Sequence, residues 1–526
     1  MGPLSRVPLR SNAIMLSKTI ALSPEVAELV FQLRRRGVAD VLDATDLTRA
    51  LYSSDASLYR VVPQIVAQPR TADEASAILD AARTVGMPVT TRGAGTSCAG
   101  NAVGPGLILD TSRHLNRILE IDPEGRTARV EPGVVQSALQ AAAAPHGLRF
   151  GPDPSTHNRC TIGGMIGNNA CGPRALGYGK TADNVTGLEV VTGSGEHINM
   201  QRTASLDHHA SLTALQSVVQ ANLGIIRMEF GRFGRQVSGY SLEHLLPENR
   251  FDVTRFLAGS EGTLAVIIGA SVRLVADASY KITIALGYPT MADAADAAPL
   301  IVDHSPTACE GLDRRIVEVV RRTRGETAVP PLPRGDGWMF VELVGEDVAE
   351  LRVRADALLA AAGASDGLVV TDPAHAMALW KIREDGAGLA SISLSRPAYP
   401  GWEDAAVPAQ HLGSYLRDFD RLLDDQGFAG LPYGHFGDGC VHVRIDFPLS
   451  EDGGAERYRA FVEDAARLVA RYGGSLSGEH GDGRARSELL PTMYSAAAST
   501  CMSMLFFSRA SRTNSSFGKI VSGELG

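Results

Sequence analysis

With 526 residues, 44% of them hydrophobic and 21% charged, the chain has room for several domains of about 100–200 residues and is too apolar to be disordered throughout. Fifty basic against 59 acidic side chains leave a net charge of -9, which argues against a dedicated nucleic-acid binder, because phosphate neutralisation needs a basic face. The six cysteines (Cys98, Cys160, Cys171, Cys309, Cys440 and Cys501) include no Cys-x-x-Cys pair, so neither a disulfide framework nor an iron–sulfur or four-cysteine zinc spacing is expected, and reduced thiols in a cytosolic compartment are the simplest reading.

Residues 1–54 read as a peripheral helical segment. The apolar runs near the N-terminus are too broken for a signal peptide, and VAELVFQLRRRG ends on a cationic turn and Gly37, a helix stop. From residue 55 the texture changes. Thr71-Ala-Asp-Glu74 is a capping box that opens a helix with Ile78, Leu79, Ala82 and Val85 on one face, closed by Gly86. MPVTT is a strand running into RGAGTSCAGNA, and GLILDTS, ILEID and TARVEPG are short apolar segments bounded by turns. QSALQAAAAPHG is a helix ending at Gly147. The stretch GPDPSTHNRCTIGGMIGNNACGPRALGYGKT is too long and too polar for an ordinary connection, and such loops are functional or disordered. GLEVVTGSG and FLAGSEGTLAVIIGASVRLV then place strands up to residue 276, where a domain boundary is expected.

Residues 277–494 alternate strand and helix. KITIALGY, GWMFVELVG, GLVVT and CVHVRIDF are the strands. A helix carries Val348, Leu351, Ala355 and Leu358, and AQHLGSYLRDFDRLLDDQG and AERYRAFVEDAARLVARYG are two more. This order predicts an α+β unit with helices on one face of an antiparallel sheet. Residues 495–526 are serine-rich and aperiodic, an atypical tail of the kind a disordered extension or a reading-frame change produces. No stretch approaches the ~20 apolar residues of a membrane span.

Three constellations carry chemistry. Arg92-Gly93-Ala94-Gly95-Thr96-Ser97 offers bare backbone N–H groups and hydroxyls to a pyrophosphate, without the third glycine of a Rossmann turn. PDPSTH, TIGGMIGNNACG and GSEGTLAVI follow in order, each dense in Gly, Ser, Thr or Asn. GYGKT is no P-loop, because Arg174 stands where the first glycine belongs. The second constellation is His435-Phe-Gly-Asp-Gly-Cys-Val-His442, followed by Glu479-His480-Gly-Asp-Gly. Two histidines and a carboxylate suit Zn2+, Mn2+ or Fe2+ with a coordination position left open. A metallohydrolase fits that set and leaves the glycine loops unexplained. The third is Trp380-Lys-Ile-Arg383-Glu, whose arginine in isolation reads as a surface charge on a helix.

Taken together, the four loops of residues 55–276 resemble the flavin-binding half of the p-cresol methylhydroxylase/vanillyl-alcohol oxidase (PCMH) family. The later motifs resemble the C-terminal cap of the FAD-linked D-2-hydroxyacid dehydrogenases, which include D-lactate, glycolate and D-2-hydroxyglutarate enzymes. The resemblance implies a two-subdomain FAD-binding domain of PCMH type followed by an α+β cap, with FAD held non-covalently. It assigns Arg92, Gly93, Ala94, Gly95, Thr96 and Ser97 to the pyrophosphate. Asp153, Ser155, Thr161, Gly163, Gly164 and Asn168 would line the isoalloxazine and ribityl chain, with Glu261 and Gly262 nearby. It also assigns His435, His442 and Glu479 to a divalent metal (Zn2+ first, Mn2+ or Fe2+ as alternatives), His480 to the base, and Arg383 to the substrate carboxylate, which a guanidinium fork suits.

The chain departs from that pattern in places. Trp402 stands where mitochondrial D-2-hydroxyglutarate enzymes carry Lys, and Arg444 where they carry Asn, so the far end of the substrate is open and Arg444 is itself a candidate for a second carboxylate. The family's usual Asp-Pro and Leu-Asn-Pro-Gly ending is missing from the tail. GHFGDGCVHVRI is worded like bacterial members whose flavin half is fused to a cysteine-rich iron–sulfur half, which these residues do not include. The expected activity is oxidation of a D-2-hydroxyacid to the 2-oxoacid with hydride transfer to flavin N5. Electrons would then pass to an external iron–sulfur protein, cytochrome or quinone-linked carrier rather than to NAD. The expected location is the cytoplasm or the inner face of a membrane. A non-catalytic FAD-binding remnant is the remaining alternative.

Overall fold

The computed structural model describes residues 23–202 and 209–505. Ser23 caps the first helix, Pro24–Arg35, by accepting from the Val26 N–H, and Val26, Leu29, Val30 and Leu33 form its buried stripe. That stripe packs with helix Ala72–Thr84 on a four-stranded sheet ordered Leu42–Asp43, Ile65–Ala67, Leu107–Asp110, Val89–Arg92, the last three parallel. The N-terminal segment is therefore no peripheral appendage: it supplies one edge strand and one covering helix of the first sheet. Thr71 accepts from the Glu74 N–H at 3.1 Å, while the Glu74 carboxylate reaches the N–H of Arg70 at 2.7 Å, a capping box displaced by one residue.

The second subdomain is a six-stranded antiparallel sheet. Its order is Ile118–Asp122, Thr127–Val130, Ala265–Ala276, Val185–Thr192, His197–Gln201, with Leu148–Phe150 pairing the end of the long strand Ala265–Ala276. The two sheets share the FAD-side loops between them.

The cap is a seven-stranded antiparallel sheet ordered Asp366–Val370, Tyr280–Tyr288, Gly337–Gly345, Ala308–Asp313, Gly430–Gly434, Cys440–Ile445, Ala405–Ala406. Helices Met291–Val302, Val348–Ala361 and Leu412–Gln426 cover one face, where Met339, Val341 and Leu343 point. Helices Arg314–Arg324 and Pro373–Glu384 cover the other, over Trp338 and Phe340. The expected one-sided cap is thus corrected. A strand as continuously apolar as GWMFVELV has no face to give to water, and it is buried on both.

Residues 495–505 do not begin an irregular tail. Ser495 caps helix Ala496–Met504, whose Ala498, Cys501 and Met502 are buried, and the helix contacts Leu223–Glu229 of the FAD-side half. The rest of the expected tail, 506–526, lies outside the described residues. Among the described residues no helix is long and apolar enough to cross a membrane.

Leu33 is fully buried in the core that joins the first helix to the first sheet. Leu33→Ala is expected to lower stability by about 2–5 kcal/mol in denaturant unfolding, the range for a truncated core leucine. A loss within about 0.5 kcal/mol would return this helix to the periphery.

Candidate active site

A cavity of about 940 Å³ lies between the two halves, and every residue expected at cofactor, metal or substrate lines it. One wall is the loop that leaves strand Val89–Arg92. Gly95 has a φ of 67°, and a Cβ on Gly93 would collide with Thr161 Oγ1, so the backbone of this loop lies directly against the next one. Thr161 caps the short helix Ile162–Asn168 by accepting from the Gly164 N–H at 3.2 Å, which fixes Gly163, Gly164 and Asn168 along the same cavity. Ser155 and Gly262 complete the lining.

Two residues expected at the flavin hold protein instead of facing the cavity freely. The Asp153 carboxylate pairs with Arg174 at 2.5 Å, and Arg174 forks onto Glu342 of the cap sheet at 2.7 Å and lies 5.5 Å over the Trp380 ring. Arg174, which ruled out a P-loop, is thus a clamp between the halves. Glu261 accepts from Asn101 Nδ2 (2.7 Å) and from the N–H groups of Asp482 (2.7 Å) and Gly483 (2.9 Å), so it pins a cap turn onto the FAD-side half. Burial and the neighbouring Asp482 push its carboxyl above the usual range.

The cap turn itself is wound around Asp404. One oxygen of this fully buried carboxylate accepts from Ser477 Oγ (2.6 Å) and from the N–H groups of Gly478 (3.0 Å), Glu479 (3.0 Å) and His480 (2.7 Å). Burial alone would raise its pKa, but the neighbouring His480 helps to hold it below the usual value. The turn aims Glu479 and His480 at the cavity. His435 follows strand Gly430–Gly434, and His442 sits opposite Tyr433 on the adjacent strand.

Glu479 Oε1 is 3.1 Å from His435 Nε2, 3.4 Å from His442 Nε2 and 3.4 Å from His480 Nε2, and the first two nitrogens are 3.3 Å apart. Donors bound at about 2.0–2.1 Å at the corners of a tetrahedron stand about 3.3–3.4 Å from one another, so the spacing of His435, His442 and Glu479 has room for a small divalent cation. The same distances also suit hydrogen bonds between these groups. The orientation is fixed from behind. His435 donates its Nδ1–H to Glu310 at 2.8 Å, which turns the lone pair of a neutral ring inward, and Glu479 Oε2 is occupied by the Gly172 N–H (2.9 Å) and by Arg235 (3.3 Å). Burial opposes protonation of His435, but the carboxylates of Glu310 and Glu479 on either side push it up to about 9. Burial pushes His442 down, and its Nδ1 has no hydrogen-bond partner.

Arg383 is buried at the end of this chain of contacts. Its Nη2 forms an ion pair with Glu310 Oε2 at 2.5 Å without hydrogen-bond geometry, its guanidinium stacks 5.4 Å over the Tyr433 ring, and its Nε also has no hydrogen-bond partner. The His480 ring stacks on His442 (centroids 4.9 Å apart, planes 7° apart). Its backbone carbonyl accepts from Asn168 Nδ2, and its Nδ1 is buried without a hydrogen bond. Arg444 is neutralised by Glu403 at 2.6 Å.

Sequence reasoning missed Glu310, Arg235 and Glu403. Glu310 carried a faint signal, a lone carboxylate in the apolar run Ala308-Cys-Glu-Gly-Leu312, but that strand was not recognised. Arg235 sits in a loop with no pattern to distinguish it.

Comparison with known proteins agrees with this layout. Residues 63–201 match the FAD binding domain, and residues 278–505 match the C-terminal domain of FAD linked oxidases. A D-2-hydroxyglutarate dehydrogenase of Pseudomonas putida is 31% identical over 90% of this chain and 50% of its own length. A D-lactate dehydrogenase of Archaeoglobus fulgidus is 32% identical over 82% of this chain and 86% of its own. The chain spans about half the length of the curated D-2-hydroxyglutarate dehydrogenases it matches. Among solved structures, 4-ethylphenol oxidase from Gulosibacter chungangensis superimposes with a TM-score of 0.61 over 88% of this chain and 90% of that one, at 14% identity, which shows a shared fold.

Asp404→Ala would strand the donors of the turn Ser477–His480 in a dry interior. The expected loss is about 3–5 kcal/mol in denaturant unfolding, and Asp404→Asn, which keeps one acceptor oxygen, should recover part of it. An alanine variant as stable as the parent would show that the turn is held by something else.

Proposed function

The chain belongs to the FAD-linked oxidase family, and from that premise we propose that it oxidises a D-2-hydroxyacid of the D-lactate, glycolate or D-2-hydroxyglutarate class to the 2-oxoacid, passing electrons to an external acceptor other than NAD. The observation that carries this reading is the meeting, in one cavity, of the glycine loops with the His435–His442–Glu479 cluster, His480 and Arg383.

FAD suits the Arg92–Ser97 and Ser155–Asn168 walls, where glycines leave the backbone bare, and when bound it supplies the hydride acceptor. A divalent cation suits His435, His442 and Glu479 by their donor spacing, and when bound it polarises a hydroxyl oxygen. The rest is work for the protein's own side chains. Arg383, with Nε unused, takes the substrate carboxylate, and Tyr433 beneath its guanidinium keeps the fork in plane with the cavity. His480 receives the C2 hydroxyl proton at Nδ1, the ring nitrogen without a hydrogen-bond partner. Stacking on His442 and the grip of Asp404 and Asn168 on its backbone keep that ring from turning away. Trp380 and Tyr433 line the same cavity beside Arg383.

The external acceptor is supported by the cysteines. The six in this sequence include no Cys-x-x-Cys pair, whereas a cluster held by these residues would need about four grouped thiolates. No strand leads into the glycine turn that NAD binding requires.

The proposal is tested by purifying the chain and adding D-2-hydroxyacids anaerobically. The yellow protein should bleach and should reduce artificial dyes without forming NADH, and acid precipitation should release the flavin into the supernatant. Flavin that no 2-hydroxyacid bleaches would remove the activity. Treatment with a chelator should abolish turnover and leave the flavin spectrum intact.

His480→Ala should lower kcat by about 10²–10⁴-fold, the usual contribution of a positioned proton acceptor. Arg383→Ala should act mainly on KM, because its carboxylate partner is present before and during the reaction. Flavin reduction at the parent rate in His480→Ala would exclude the histidine as base.

A further inference from the structure

We infer that Glu310 is a positioning residue that sets two functional groups at once: the ring of His435 and the guanidinium of Arg383. The inference rests on the metal and substrate roles proposed above and adds what couples them. Glu310 is 1% exposed, in the middle of strand Ala308–Asp313, on the same face as Ala308 and Leu312. A carboxylate this deep is tolerable only with both oxygens engaged. Oε1 takes the His435 Nδ1–H at 2.8 Å and Oε2 lies 2.5 Å from Arg383 Nη2.

The two partners come from separate elements. His435 follows strand Gly430–Gly434, and Arg383 sits in the last turn of helix Pro373–Glu384. The side chain that touches both is Glu310, anchored on a central strand that pairs with neighbours on both sides, and Tyr433 beneath the guanidinium is a second contact toward His442. With Nδ1–H committed to Glu310, a neutral His435 presents the Nε2 lone pair to the point it shares with Glu479 and His442. Nη2 is paired in charge with Glu310, and neither Nη2 nor Nε has a hydrogen-bond partner, so this edge of the Arg383 guanidinium is open to an incoming anion. Displacing the carboxylate frees the imidazole to flip or change tautomer and lets the guanidinium swing on its stem. One residue would thereby govern metal affinity and substrate affinity together.

The test uses the full chain with FAD bound, comparing the parent with Glu310→Gln, Glu310→Asp and Arg383→Gln. Zn2+ affinity is measured by competition with a chromogenic chelator, and KM and kcat are measured at saturating Zn2+. Glu310→Gln turns an amide N–H toward one of its two donors, so Zn2+ binding should weaken by about 10–100-fold, the usual effect of losing such a carboxylate behind a ligating histidine. KM should rise more than kcat falls. Arg383→Gln, which removes the charge partner of Glu310 Oε2 as well as the guanidinium over Tyr433, should also weaken Zn2+ binding, by a smaller factor. Glu310→Asp keeps the charge but is one methylene too short to hold both partners, so it should restore one of the two affinities at most. Parent protein that binds no Zn2+ would remove the metal reading itself. Parent binding with unchanged Zn2+ affinity and KM in Glu310→Gln would overturn the role of Glu310 alone. Should Glu310→Gln fail to fold, unchanged Zn2+ affinity in Arg383→Gln would overturn the coupling.

Discussion

The turn Ser477–His480 has no secondary structure of its own to hold it, and the site depends on the buried carboxylate that does. Asp404 gathers a hydroxyl and successive backbone N–H groups onto a single oxygen, and its own φ of 82° shows that the backbone accepts strain to deliver it. Donors removed from water are costly unless met, so the carboxylate and the turn each make the other's burial tolerable. Glu261 repeats the device two residues further on from the opposite half, and Gly239 donates to Asp482 at 2.6 Å from a third direction. The backbone of Glu479 and His480 is therefore placed by a frame of hydrogen bonds, and their side chains are then oriented by Gly172, Arg235 and the His442 ring.

The same economy governs charge. Arg174, Arg235, Arg383 and Arg444 each meet at least one buried or half-buried carboxylate. The cavity wall is a mosaic of matched ions with few free cations, as a chain with a net charge of -9 permits. An anionic substrate entering such a wall gains little from arginines already neutralised. It gains from N–H directions left unused, such as Arg383 Nε, and from whatever positive charge the His–Glu cluster holds.

Much of this was legible in the chain. Thr71 announced a helix start by residue type and spacing, and the glycine loops announced a surface where backbone approaches a ligand, although the short helix that Thr161 caps was read as loop. The His–Gly-Asp-Gly–His and Glu-His motifs each place two site residues close in sequence, His435 with His442 and Glu479 with His480. What was hidden is physically of another kind. Strand Ala308–Asp313 is buried on both faces and shows no alternation, so neither the strand nor Glu310 within it stood out. The helix Arg314–Arg324 of the second cap layer was missed although its pattern is amphipathic, with Ile316, Val317, Val319 and Val320 buried between arginines. The first helix was read as peripheral because its edge strand, Leu42–Asp43, is only two residues long. Arg235 becomes meaningful only once the fold brings it beside Asp438 and Glu479, more than two hundred positions away.

The grip of Gly172 and Arg235 on Glu479 Oε2 bears on how such proteins can be recombined. The chemistry-bearing carboxylate belongs to the cap, yet the groups that decide which of its oxygens is free belong to the flavin-side half, as does the Asn168 amide that holds the His480 carbonyl. The border between the two sequence domains therefore runs through the middle of the reacting centre. A cap transplanted from a relative would bring its ligands but not their orientation, so exchange between lineages has to carry both sides of the seam or rebuild it. The halves have separate sheets but share one core and one site.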